Sequence, residues 1–185
     1  LVDMSGSMYR DFHRVERLCA VLQKALDFPF VHLNVMGFNS KRAGTVNMYQ
    51  YPKNTPGLIS SESSVEGVTP LSHAIQVAGR SMLQNRDENH LFVLSDGFPV
   101  YALKRGQRRS VDTNSLVNWT ADAVSELKRH RVRTWCFMAG SHTPSDDRMD
   151  KMFGSRRWKN IRMDQIYTDS FSFITAQFLR YLRTR

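Results

Sequence analysis

Apolar residues along this chain follow two alternating rhythms, one recurring every three or four positions and one in short continuous runs. Val15, Leu18, Cys19, Leu22 and Leu26 share one helical face and predict a helix over 12–26, with Asp11 placed to cap it and Phe28-Pro29 to stop it. Residues 30–38 alternate as a strand. The β-branched and aromatic run 45–51 predicts a second, folded back on the first through a polar turn at 39–44 as an antiparallel edge hairpin. A stretch rich in Pro, Ser, Gly and Asn at 52–66 reads as a loop. A helix is expected over 70–84, with Pro70 in its first turn, where a missing amide hydrogen costs nothing.

The apolar run 91–94 predicts a buried strand, followed by a long basic loop at 99–109. A helix is expected over 115–131, carrying Leu116, Trp119, Ala123 and Leu127 on one face. Further on come a buried strand at 132–139, a short helix at 146–153, a last strand at 161–167 and a closing amphipathic helix at 170–183. Strands alternating with helices imply a mostly parallel sheet with both faces covered. The expected fold is therefore a doubly wound, Rossmann-like α/β sandwich with one antiparallel edge strand, forming a single domain over 1–185.

Two of the apolar runs end in carboxylates. Leu1-Val2 leads into Asp3, after which Ser5 and Ser7 place hydroxyls at alternate positions; the run 91–94 leads into Ser95-Asp96-Gly97. Between them, Gly67-Val68-Thr69-Pro70-Leu71 puts a threonine hydroxyl at a helix start. In an open parallel sheet, ligand sites lie beyond the carboxyl ends of the strands, where the strand order reverses. Three separate pieces of chain can meet there on one ion. Hard oxygen donors with only one or two charges suit Mg²⁺ or Mn²⁺. Asp3 is read at this level as a surface-facing loop carboxylate. The competing reading, in which Ser5 and Ser7 merely cap the first helix and Asp96 terminates a strand, leaves the Thr69 segment unexplained.

The order D-x-S-x-S, then T-P-L, then S-D-G resembles that of von Willebrand factor A domains over nearly the whole chain. The resemblance implies a metal-ion-dependent adhesion site made by Asp3, Ser5, Ser7, Thr69 and Asp96, completed by a carboxylate from a protein partner. Ser95-Asp96-Gly97-Phe98-Pro99 followed by Asp112-Thr113 looks like the S-D-G-x-P…D-T arrangement of the von Willebrand A proteins that partner MoxR-type AAA+ ATPases. The cobaltochelatase subunit of cobalamin synthesis, with its phage-encoded relatives, belongs to that group. The implied role is a metal-dependent binding module rather than an enzyme, with a non-catalytic chelatase subunit as the alternative.

Composition refines this picture. The formal net charge is +9 over 185 residues, which predicts attraction to an acidic partner. Lys104, Arg105, Arg108 and Arg109 are candidate clamps for such a partner beside the ion. A basic nucleic-acid-associated protein is the third reading, but no recognised module or aromatic platform surrounds those residues. No apolar run approaches the roughly 18 residues of a membrane span. Neither Walker A nor a nucleophile elbow is present, so an ATPase or hydrolase would have to be another chain. The six histidines lack zinc spacing, and His73, four residues beyond Thr69, reads as helix surface. Cys19 and Cys136 read as small core residues, and a cytoplasmic setting is expected. A first strand needs about five residues, whereas only Leu1 and Val2 precede Asp3; the chain is therefore expected to be a fragment of a longer protein.

Overall fold

The computed structural model describes residues 1–29, 31–41, 45–51, 65–83, 89–96, 99–100, 111–139 and 145–183. Six strands form one sheet: β1 (Val2–Asp3), β2 (Val35–Asn39), β3 (Asn47–Tyr51), β4 (Asn89–Ser95), β5 (Val132–Met138) and β6 (Trp158–Asn160). Their order is β3-β2-β1-β4-β5-β6. Every pairing is parallel except β2 with β3, the antiparallel edge. Among the described residues five helices cover the sheet: α1 (Phe12–Ala25), α2 (Leu71–Met82), α3 (Thr113–Arg129), α4 (Asp146–Phe153) and α5 (Ile166–Arg183). The doubly wound α/β architecture is as expected.

Alternation along the central strands divides the core in two. Val2, Leu94 and Phe137 face Val15 and Leu18 of α1 and Ile166 and Ile174 of α5. Val93, Cys136 and Met138 face Ala74, Ile75, Val117, Val124 and Met149 on the opposite side. Because both faces are covered, these strands are apolar at successive positions instead of alternating with polar ones. The sheet's first face also carries a stack of rings, Phe92, Trp135 and Phe137, met edge-on by Phe173 of α5. Both cysteines are free and buried, and burial pushes the Cys19 thiol up to about 11.

Several boundaries move from their predicted places. Strand β2 starts at Val35, because its ladder with β3 runs only from Val35↔Tyr51 to Asn39↔Asn47; residues ahead of it have no strand to pair with among those described. Helix α3 starts at Thr113, two residues early, since the Asp112 side chain accepts from the backbone N–H of Asn114 at 3.1 Å and Ser115 at 2.9 Å. Asp11 sits at the cap position of α1 but makes no such bond and pairs with Arg14 at 3.2 Å. Trp119 is 43% exposed; the buried stripe of α3 runs through Leu116, Val117, Thr120, Ala123, Val124 and Leu127.

The largest correction lies near the C-terminal end. The expected strand at 161–167 is instead a 3-10 turn (Met163–Gln165) leading into α5. The strand lies just before it, at β6, in register with β5 through Cys136↔Trp158 and Met138↔Asn160. Ile166, Ser170 and Ile174 are all buried, a four-residue spacing that places one helical face on the sheet.

Candidate metal centre

The strand order reverses between β1 and β4, with β2 on the far side of β1 and β5 beyond β4. Val2 lies opposite Leu94, so the next residues, Asp3 and Ser95, meet at the ends of their strands. The Asp3 carboxylate is fully buried, which corrects the expectation of a surface-facing group. Its Oδ2 accepts hydrogen bonds from Ser95 Oγ at 2.5 Å and Thr69 Oγ1 at 3.1 Å. Oδ1 accepts the Ser5 backbone N–H at 2.8 Å. The Ser5 and Ser7 hydroxyls are 3.1 Å apart, and Ser7 Oγ donates to Asp96 Oδ1 at 2.9 Å. The fold thus brings Asp3, Ser5, Ser7, Thr69 and Asp96 into one connected cluster.

Backbone bonds hold the three loops together. Gly6 N donates to Gly67 O at 3.2 Å and Glu66 N to Met4 O at 2.9 Å; Ser40 and Val68 exchange two bonds of 3.0 Å. Gly67 has φ +82°, and a Cβ there would lie 2.1 Å from the Ser40 carbonyl oxygen. Only glycine lets the Thr69 segment approach the end of β2 this closely. Lys41 and Glu66 pair across the same junction.

Burial raises the Asp3 carboxyl to about 6. The hydrogen bonds from Ser95 and Ser5 pull the other way, and the nearby Asp96 charge adds to the rise. The groups described as bonded to Asp3 are all neutral, so a cation near the cluster would relieve this cost. Ser5, Ser7, Thr69 and Asp96 border an open groove of about 1420 Å³, rimmed by Arg10, Arg14 and Arg162; Asp3 lies behind it. Arg14 is paired with Asp11 and Arg162 with Asp164.

The donor set contains only oxygens, mostly neutral hydroxyls. Among the described residues no three His, Cys, Asp or Glu side chains are grouped so that they could hold an ion by themselves, so any ion here must rely on hydroxyls and water besides its carboxylates. That composition fits Mg²⁺, which keeps several waters and takes one or two carboxylates, better than Zn²⁺. Of the other sequence candidates, Lys104, Arg105, Arg108 and Arg109 lie outside the described residues. His73 is exposed on α2. The sequence assigns Ser95 no role of its own; what marks it there is its place in S-D-G, as a polar residue closing an apolar run just before Asp96.

No protein-family model matches the chain. No curated protein matches it either. Among solved structures it is similar to the human COPII-coat protein Sec24c, at 14% identity with a TM-score of 0.51. The match covers 94% of this chain and 30% of that one, so the domain spans under a third of the other chain's length. At this identity the likeness concerns the fold alone.

Proposed function

We propose that this domain is a Mg²⁺-dependent protein-binding module working in the manner of the von Willebrand factor A domains that its motifs resemble. The observation that supports the reading best is the convergence of Asp3, Ser5, Ser7, Thr69 and Asp96, from three distant segments, at the reversal of strand order. Ser5, Ser7, Thr69 and Asp96 would hold the ion from the groove side, with Asp3 orienting the hydroxyls behind them. A bound ion with so few anionic ligands stays electrophilic and would take a carboxylate from a partner as a further ligand. The groove beside the cluster leaves room for that partner.

The partner proposed is a MoxR-type AAA+ ATPase complex, a reading that rests on the Ser95-Asp96-Gly97-Phe98-Pro99 and Asp112-Thr113 segments. Lys104, Arg105, Arg108 and Arg109 would steer acidic surfaces toward the ion. Calorimetric titration of Mg²⁺ tests the site, with Asp96→Ala expected to lose binding. Recovery of the ATPase on immobilised domain tests the partnership in magnesium, in chelator and with Thr69→Ala. Recovery in magnesium alone is the expected result; equal recovery in all three would remove the ion site as the contact surface.

A further inference from the structure

Ser95 is the serine of the S-D-G segment and is not among the five residues expected at the ion site, yet its hydrogen bond to Asp3 is the shortest of those described in the cluster. Its hydroxyl donates to Asp3 Oδ2 at 2.5 Å across ninety-two positions of sequence. Both residues are fully buried. Neither borders the groove, whereas Ser5, Ser7, Thr69 and Asp96 do. The cluster therefore has two layers, four groove-side oxygen donors and a buried pair behind them.

The strand geometry explains how one segment serves both layers. Successive residues of an extended chain point in opposite directions. Ser95, the last residue of β4, turns in toward Asp3, while Asp96 directs its carboxylate to Ser7. Among the hydrogen bonds described, Asp3 Oδ2 accepts those of Ser95 and Thr69. A threonine hydroxyl has one proton and two lone pairs. When its proton is directed to Asp3, its lone pairs remain for a cation. That orientation requires Asp3 Oδ2 to stay where Ser95 holds it.

We propose that Ser95 is a positioning residue of the site. Its hydroxyl fixes the Asp3 carboxylate, which in turn orients Thr69 and Ser5 toward the ion. This inference rests on the metal-binding reading above and concerns how the ion is held, not what partner it binds. Groups that orient metal ligands in this way typically contribute about 10- to 100-fold to affinity.

The test titrates Mg²⁺, and Mn²⁺ in parallel, into the wild-type domain, Ser95→Ala and Ser95→Thr by calorimetry, with thermal melts in chelator as a folding control. Expected are binding by the wild type, affinity at least 10-fold weaker in Ser95→Ala, and recovery in Ser95→Thr, which restores a hydroxyl. Unchanged affinity in Ser95→Ala overturns the positioning role while leaving the metal site standing. Equal weakening in both variants also overturns it, since the residue would then act by its volume and not by its hydroxyl. No binding by the wild type overturns the metal reading itself, and the inference with it. Should Ser95→Ala fail to fold, Ser95→Cys supplies the same comparison with a much weaker donor in similar space.

Discussion

Replacing Asp3 by asparagine removes a charge that burial makes costly, so the metal-free protein should gain stability from losing it, but only at neutral pH. The Asp3 carboxyl is raised from 3.8 to about 6 by burial, against the pull of its hydrogen bonds. A folded-state value above the unfolded one means that the native protein holds this proton more tightly. Asp3 therefore contributes fully to stability below pH 4, and its contribution is lost as pH rises through 6. About two pH units at roughly 1.4 kcal/mol each give a loss of about 3 kcal/mol.

Asparagine has a constant cost of its own. Its Oδ1 can still accept from Ser5, but its amide nitrogen cannot accept the hydroxyl protons of Ser95 and Thr69, an effect of about 1 kcal/mol per bond. That cost does not vary with pH. The diagnostic quantity is thus the stability of Asp3→Asn minus that of the wild type, measured by urea unfolding in chelator from pH 4.5 to 7.5. It should rise by about 2 kcal/mol across that range, while other titrating groups cancel. A difference that stays flat would refute the assignment of a costly buried charge. A difference that falls would mean that the three donors outweigh burial. With Mg²⁺ present the ordering at pH 7.5 should reverse, because only the wild type would gain from the ion.

Further outcomes follow from the same geometry. Saturating Mg²⁺ at about 100 times its dissociation constant should stabilise the wild type by about 2.7 kcal/mol, read as a raised melting temperature that Asp96→Ala does not show. Gly67→Ala forces a side chain into a left-handed backbone against the Ser40 carbonyl; a loss of about 2 kcal/mol or more is expected, measured by urea unfolding. At Gly79 an added Cβ would meet Leu127 Cδ2 at 2.2 Å. Gly79→Ala should therefore cost about 1–3 kcal/mol through overpacking, and the cost should shrink in a Leu127→Ala background. Cys19 and Cys136 should resist a thiol reagent in the native protein and react only on unfolding, since both are buried with raised thiol values.

The sequence by itself determined most of the fold. The two rhythms of apolar residues are local properties of the chain, and they marked all five helices and every central strand. The gathering of Asp3, Ser5, Ser7, Thr69 and Asp96 was legible for a related reason: each follows a strand or precedes a helix, places where chain ends gather in a parallel sheet. Local pattern failed where helix and strand periods look alike over a few residues. Ile161, Met163 and Ile166 alternate loosely enough to resemble a strand, and only the register of β6 on β5 makes them a turn and a helix start. The burial of Asp3 also escaped the sequence. It depends on β1 lying beside β4, a pairing between residues some ninety positions apart that no local pattern records. The role of Ser95 has the same origin, since a hydroxyl at a strand end acquires a partner only once the neighbouring strand is in place. Tertiary pairing decided which polar groups are sealed behind the site and which face the groove.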